Sequence, residues 1–351
     1  MKNINKFISV FSHSCIIQDP LNLRYLTGTD IDTGTLVFVG GKVYFITDFR
    51  YIEKAKSDFK NSDVTVILQS RLSDNIRDIL SSHNETHVFI ENGYQTVEKL
   101  NFFSGICEVE REALLDNAIN ELRMIKDEEE LALIKKAQNL TDSAFTHILP
   151  FIKEGVKERD IALEIEWFMR KGGAEGVSFN HIVVSGKKSS LPHGIPSDKL
   201  IENGDFITMD TGCKVGGYCS DMTRTVALGY ADDDMKKVYN TVLSAQKAAL
   251  DLIAPDVVCC DIDTAARSLI YGAGYEGCFG HSTGHSVGLF IHESPSFSPS
   301  CKTLLKKGMV MTVEPGINIE DAYGVRIEDM VYITDDGYEN LTKSSKELII
   351  L

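Results

Sequence analysis

Along the first third of the chain, short apolar runs alternate with stretches of helical spacing. Residues 35–39 form one such run, Gly40-Gly41 follow, and residues 43–46 form the next. Two β-rich runs joined through a Gly-Gly pair read as a hairpin, because tight hairpin turns need positive φ and glycine adopts it freely. Residues 64–68 and 87–90 are further strand candidates, and helical spacing over 72–80 lies between them. The pattern predicts a small α/β domain over residues 1–122.

From residue 123 the pattern changes. Asp127 followed by three glutamates has the spacing of a helix start with a capping box. Leu131, Ile134, Ala137, Ala144, Phe145 and Ile148 then recur at helical intervals, which predicts a helix ending near Pro150. Further helices are predicted over 159–171, stopped by Gly172-Gly173, and over 233–253, before Pro255. Strand-like runs fall at 178–185, 206–211, 223–228, 309–314 and 325–333. Residues 123–351 therefore read as an α+β domain, with antiparallel hairpins in a curved sheet covered by helices. Gly272, Gly274 and Gly277 have the spacing of a dinucleotide fingerprint. That fingerprint must follow a strand and open a helix, whereas this one follows a predicted helix over 263–271. We expect no nucleotide there.

Composition narrows the classes. Hydrophobic residues make up 43% and charged residues 25% of 351, which excludes a disordered chain and a collagen-like one. Against 36 Lys+Arg stand 51 Asp+Glu, a net charge of −15, so nucleic acid and anionic membranes are not expected partners. No apolar run approaches the ~18 residues that span a bilayer. Ser12, His13 and Ser14 interrupt the short apolar stretch after the N-terminal lysines, so no signal peptide is read and a cytoplasmic location is expected. The eight cysteines form no C-x-x-C pair and are expected to be reduced, mostly buried thiols.

Four acids stand out because they sit in apolar, strand-like surroundings. Asp210 follows 206–209, and Asp221 lies eleven residues on, with Gly212, Gly216 and Gly217 between. Glu314 ends 309–314, and Glu328 lies fourteen residues on. Each pair reads as strand, turn, strand with an acid on either arm. A carboxylate embedded in apolar strands costs several kcal/mol unless a cation compensates. Arg224 and Arg326 are the cations near in sequence, and metal ions are the natural compensator. Three histidines, His281, His285 and His292, fall within twelve residues, among Gly280, Gly284 and Gly288. One histidine with four carboxylates suits Mn²⁺, Co²⁺, Fe²⁺ or Zn²⁺. Four carboxylates balance two dications, and two dications with water make a hydrolase.

The motifs Met209-Asp-Thr-Gly212, Ser220-Asp-Met-Thr-Arg-Thr225, Thr283-Gly-His-Ser-Val-Gly288, Val313-Glu-Pro-Gly316 and Arg326-Ile-Glu-Asp329 stand in one order and spacing. In this the chain resembles the pita-bread metallopeptidases, the group of methionine aminopeptidase, aminopeptidase P and prolidase. Residues 22–28 and 46–51 resemble hallmarks of the creatinase-type N-terminal domain. The resemblance implies that Asp221 and Glu328 bridge two metal ions, that Asp210 completes one, and that His285 and Glu314 complete the other. It implies that His193 and His292 stabilise the tetrahedral intermediate and orient substrate, and that Glu314 carries a proton to the leaving nitrogen. Tyr218 and Arg326 would support the ligand carboxylates from behind, with Arg326 counted among the catalytic set, and His281 would line the substrate pocket. Ser282 and Ser286 depart from the glycines that many members carry around the ligand histidine. They are expected to alter a substrate subsite or backbone flexibility rather than to abolish activity.

The resemblance implies proline specificity and Mn²⁺ first among metals, with Co²⁺ and Zn²⁺ as alternatives. It places an Xaa-Pro aminopeptidase acting on short peptides first and an Xaa-Pro dipeptidase second. Methionine aminopeptidase usually lacks such an N-terminal domain, and creatinase-type amidinohydrolases lack the ligand set. A metal-free binding scaffold of the same fold would have lost ligands, and this chain has all five. A homodimer is the expected assembly.

Overall fold

Gly40 and Gly41 turn the chain at φ of +55° and +73°, and Val39 stands opposite Lys42 in the ladder they close. The computed structural model describes residues 2–351, and the chain divides into two units, one ending at Arg123 and one beginning at Met124.

The first unit holds a six-stranded sheet. Its strands are β1 (Cys15–Ile17), β2 (Thr35–Val39), β3 (Lys42–Thr47), β4 (Val64–Leu68), β5 (His87–Ile90) and β6 (Glu108–Glu110), in the order β4-β3-β2-β1-β5-β6. β1 runs antiparallel to β2 and parallel to β5, so the sheet is mixed. Six helices belong to this part: α1 (Lys2–Val10), α2 (Pro20–Thr27), α3 (Ile52–Asp58), α4 (Leu72–Ser82), α5 (Val97–Ser104) and α6 (Leu114–Met124). α4 turns Ile76, Ile79 and Leu80 inward, where they join Ile16, Val37, Ile46 and Val88 in one apolar cluster. Helix α2 has local reasons to form. The Asp19 side chain accepts the Leu21 N–H, Pro20 opens the first turn, and Gly28 closes the last at φ +74°.

In the second unit the capping box is present. Asp127 accepts from the Glu129 and Glu130 N–H groups, and Glu130 accepts the Asp127 N–H at 2.8 Å. Helix α7 (Glu128–Ile148) follows, then α8 (Glu158–Lys171), α9 (Asp233–Asp251) and α10 (Cys259–Gly272). α7 and α8 cover the three-stranded sheet β12-β9-β8, formed by β8 (Ile182–Ser185), β9 (Phe206–Thr211) and β12 (Met222–Ala227). β7 (Gly176–Val177), β10 (Cys213–Val215) and β11 (Tyr218–Cys219) make a smaller sheet. α9 and α10 cover a five-stranded sheet of β13 (Gly284–Ser286), β14 (Glu293–Phe297), β15 (Val310–Val313), β18 (Asp329–Ile333) and β19 (Tyr338–Asn340), in the order β14-β13-β15-β18-β19. β16 (Gly316–Ile319) and β17 (Tyr323–Arg326) form a separate hairpin. The architecture is mixed α/β followed by antiparallel sheets. Among the described residues no helix is long and apolar enough to cross a membrane.

Two sequence expectations need correction. The run 178–185 is a strand only from Ile182. Before that, Ser178 Oγ donates to the carbonyls of Cys213 and Ser220, and Phe179, Asn180 and His181 line a cavity instead of a ladder. The run 325–333 is two strands. β17 pairs with β16 and β18 pairs with β15, so the chain changes partner at Ile327 and Glu328. Gly272 closes α10, and the other two glycines of the fingerprint lie outside any strand or helix, so the strand-to-helix context for a nucleotide is missing.

Candidate metal centre

Strand register brings the acids together. Asp210 stands opposite Thr223 in the β9–β12 ladder, and Asp221 lies one step beyond its last pair, Met222 with Thr211. Glu314 and Glu328 lie one step beyond Val313 and Asp329, the last pair of the β15–β18 ladder. Three of the four acids are buried and Glu314 is partly so. The break between β17 and β18 matters here, because the Glu328 N–H bonds to the Thr223 carbonyl at 3.1 Å and carries that residue across to β12.

His285 completes the cluster. Its Nδ1 is 3.2 Å from the Ser286 carbonyl, which leaves Nε2 facing Asp221 Oδ2 at 3.5 Å and Glu314 Oε1 at 3.3 Å. A nitrogen among carboxylate oxygens is held either by a proton on Nε2 or by a cation in its place. Burial lowers this imidazole, yet the hydrogen bond and charge of Glu314 outweigh burial and raise it. Asp221, His285 and Glu328 each offer one atom, all within 4.8 Å of one another. Ligands of one divalent ion with bonds of about 2.0–2.2 Å stand at most about 4.4 Å apart, so a few tenths of an ångström of side-chain movement closes this group around an ion. Asp210 Oδ1 and Glu328 Oε1 are buried and have no hydrogen-bond partner among the described residues. Orphaned buried oxygens are rare, so two in one cluster match the ligand set that the motifs imply.

Only one of the two nearby arginines serves the cluster. Arg326 Nη2 donates to Asp210 Oδ2 at 2.6 Å, its Nε to Thr223 Oγ1 at 3.0 Å, and its Nη1 to the Pro192 carbonyl at 3.3 Å. Thr223 Oγ1 in turn donates to Glu328 Oε2 at 2.7 Å. Arg224 pairs with Asp329 at 2.8 Å and donates to the carbonyl of Glu328.

The electrostatics follow from this crowding. Burial pushes Asp221 and Glu328 well above the usual carboxylate range, and the neighbouring carboxylates push them further. Burial also raises Asp210, with Arg326 acting against it. Burial works against ionised Glu314 too, yet the hydrogen bond and charge of His285, with His281 and Arg326 behind, bring it down to about 2. Burial and mutual repulsion therefore favour the protonated forms of Asp221 and Glu328, and a cation that displaces those protons relieves both costs. His292 and His281 are pushed down, chiefly by burial, towards the neutral imidazole.

The cluster floors a cavity of about 640 Å³, within the range that takes small ligands. His193, His281 and His292 line it with Arg326, while Phe179, Ile182, Pro192, Ile195 and Ile291 supply apolar walls. The His292 ring lies against His285 at a centroid distance of 4.5 Å, edge to face. The cavity thus collects His193, Asp210, Asp221, His281, His285, His292, Glu314 and Arg326, and Glu328 lies beneath through Thr223. The Tyr218 hydroxyl donates to Glu130 Oε1 at 2.7 Å, the glutamate of the α7 capping box.

Some supporting residues escape sequence reasoning. Thr223 is one, although its place opposite Asp210 follows once the two strands are paired. Asp263 and Arg267 on α10 are others. Asp263 accepts from the N–H and hydroxyl of Thr283, and Arg267 donates to the carbonyls of Phe279 and His281, so both grip the histidine loop. Ser286 is fully buried, and its hydroxyl is 3.3 Å from Lys126 Nζ, which pairs with Glu293 at 3.0 Å. One departure from the family pattern therefore joins an internal ion pair.

Residues 132–335 match the model of metallopeptidase family M24, and residues 13–125 match that of the creatinase/prolidase N-terminal domain. Over 335 residues the chain is 38% identical to the Xaa-Pro dipeptidase of Pyrococcus furiosus, covering 95% of this chain and 94% of that one. Its structure superposes on an Xaa-Pro dipeptidase from Bacillus anthracis with a TM-score of 0.95 at 37% identity, covering 100% and 99% of the two chains. The X-Pro aminopeptidase from Thermotoga maritima gives a TM-score of 0.90 at 31% identity, covering 99% and 100%. Two matched domains, a full-length relative and a buried cluster of metal-ligand type agree: the chain belongs to metallopeptidase family M24, as a peptidase with a creatinase-type N-terminal domain.

Proposed function

We propose that the protein is an Xaa-Pro dipeptidase that uses two divalent ions, Mn²⁺ first among them. The observation that carries this is end-to-end similarity to proteins named Xaa-Pro dipeptidase, at 38% and 37% identity. It reverses the order of the two activities expected from the sequence. The aminopeptidase stays as the second reading because of the Thermotoga maritima X-Pro aminopeptidase, at 31% identity. The proposal keeps a cytoplasmic homodimer, checked by light scattering and cell fractionation.

Asp210, Asp221, His285, Glu314 and Glu328 would hold the two ions. When bound, the ions supply Lewis acidity and make a nucleophile available near neutral pH. The remaining work falls to the chain. Glu314 takes the proton of the attacking water on a carboxylate oxygen and returns it to the proline nitrogen as that nitrogen leaves. An Xaa-Pro bond is a tertiary amide without an N–H, so its leaving nitrogen gains its proton only at this step. His292 and His193 donate N–H groups to the scissile carbonyl oxygen as negative charge grows there. Arg326 holds Asp210 on one side and the Pro192 carbonyl, next to His193, on the other. The walls of Phe179, Ile182 and Ile291 receive the apolar proline ring.

The test is turnover of an Xaa-Pro dipeptide beside an Xaa-Pro-Xaa tripeptide by the Mn²⁺-loaded protein. Preferred cleavage of the dipeptide supports the proposal. Preferred cleavage of the tripeptide before proline makes the protein an aminopeptidase. Cleavage of neither, with metal bound, refutes proline specificity.

A further inference from the structure

Glu158, the first residue of α8, is fully buried, and five donors converge on its carboxylate. The N–H and hydroxyl of Ser185 meet Oε1 at 2.8 and 3.1 Å. Lys188 Nζ meets Oε2 at 2.7 Å, and there it is joined by the Ser197 hydroxyl at 2.8 Å and the Ser197 N–H at 3.1 Å. All five donors belong to one loop, residues 185–197, which leaves the sheet at the last residue of β8. Its two ends therefore land on the same carboxylate. Lys188 also donates to the Ile195 carbonyl and, at 2.8 Å, to Ser197 Oγ, so the cation ties the two limbs of the loop to each other. Burial opposes a charge on Glu158, but Lys188, Ser197 and Ser185 outweigh it and hold the carboxyl below the usual carboxylate range.

The loop closed in this way carries one wall of the cavity, through Pro192, His193, Gly194, Ile195 and Pro196. Packing does little to fix that tip. Leu191 and Ile195 are 53% and 78% exposed, and His193 is exposed as well. Apolar side chains left in water contribute no burial that would hold their backbone in place. Hydrogen bonds do the holding instead. Arg326 Nη1 takes the Pro192 carbonyl on the inner side, Ser189 Oγ accepts the Gly324 N–H at 2.9 Å, and Glu158 gathers the base. An ion pair with a fully buried member is a weak source of net stability, so this one is better accounted for by the geometry it imposes.

We propose that Glu158 is a positioning residue for the reaction: with Lys188 it clamps the loop shut and so sets where His193 stands beside the metal cluster. This rests on the role given to His193 above, donation to the scissile carbonyl oxygen. Such a donor works over a narrow range, about 2.7–3.1 Å from the oxygen on which charge grows. A misplacement of about 1 Å costs on the order of a hundredfold in rate. Glu158→Gln keeps the shape of the side chain and replaces one carboxylate oxygen by an NH2 group. The amide offers one oxygen where two oxygens now meet donors, so either Ser185 or the Lys188–Ser197 side is left facing N–H groups. One limb of the loop then comes free, while the metal ligands, none of which lies in this loop, stay in place.

The experiment is a double-mutant cycle on the Mn²⁺-loaded protein, with kcat and KM measured on whichever of the Xaa-Pro dipeptide and the Xaa-Pro-Xaa tripeptide the wild type cleaves faster. Glu158→Gln should lower kcat about ten- to a hundredfold, with KM within a few-fold and bound metal near normal. His193→Ala should lower kcat as well, and adding Glu158→Gln to it should cost no more than about twofold further. Hydrogen exchange of the amides in 185–197 should quicken in Glu158→Gln, with those of β9 and β12 unchanged. Lys188→Met, at a half-buried position, should show the same pattern and covers the case in which Glu158→Gln folds poorly. Wild-type kcat in both clamp variants would overturn the proposal. So would an equal loss from Glu158→Gln in the His193→Ala background, because a general structural defect adds across both. Unchanged loop exchange would overturn it too, and that measurement needs no substrate. Full activity of His193→Ala would overturn the role given to His193 and the proposal with it, and it is told apart from the other failures because Glu158 is untouched.

Discussion

Thr223→Val removes one hydroxyl and keeps the shape of the side chain. Thr223 is fully buried, and its pairing with Asp210 runs through the backbone, so the β9–β12 ladder survives the change. The hydroxyl holds Glu328 Oε2 at 2.7 Å and accepts from Arg326 Nε at 3.0 Å. The other Glu328 oxygen has no hydrogen-bond partner, so Thr223 is what aims this carboxylate. A hydrogen bond to an ionised group contributes about 1.5–3 kcal/mol. At about 1.4 kcal/mol per factor of ten, that is roughly a 10- to 150-fold loss of metal affinity, close to what loss of a partner behind a metal ligand commonly costs. The assay is a Mn²⁺ activation curve for wild type, Thr223→Val and Thr223→Ser, with a thermal melt of each metal-free protein as the folding control. The midpoint should rise at least about tenfold for valine, kcat at saturating metal should stay within a few-fold, and serine should restore the wild-type midpoint. An unchanged midpoint for Thr223→Val would refute the claim that Thr223 orients Glu328.

Asp221→Ala or Glu328→Ala should abolish turnover and lower bound metal by mass spectrometry of the native protein; full activity in either would end the two-metal reading. His292→Ala should cut kcat about a hundredfold with metal content near normal, and loss of metal instead would make it a ligand. Chelator should inactivate and Mn²⁺ restore; at a hundred times its Kd the ion should stabilise the fold by about 2.7 kcal/mol in a urea titration, and no shift would mean it does not bind the folded state. Lys126→Met should cost about 3–5 kcal/mol because it strands buried Glu293, and adding Glu293→Leu should recover most of it; an equal loss in the double variant would show the pair is not what matters.

The site was more legible than the fold around it. Asp210, Asp221, Glu314 and Glu328 stand out in sequence because a charge inside an apolar strand is costly and therefore conspicuous. The hairpin at Gly40-Gly41 and the start of α7 were legible for a similar reason, since positive φ and a capping box leave local marks. Short helices such as α3 and α5 were not, because seven or eight residues carry too few turns to establish a period. Continuity misled at 325–333: every residue there suits a strand, and only the exchange of partners from β16 to β15 divides it. The Tyr218 hydroxyl donates to Glu130, 88 positions away, a contact that its motif neighbours did not announce. Partners that far apart in sequence leave no trace in spacing.

Arg326 gathers groups from three stretches of chain: the end of β9, the start of β12 and the carbonyl of Pro192. The last is 134 positions from the arginine and the first 116. Loop closures of that length cost entropy before any contact repays it, so they come late in folding. The cluster consequently depends on the β9–β12 and β15–β18 ladders both being in register. Half-folded chains would therefore carry most of the ligand residues without the register that brings their oxygens together.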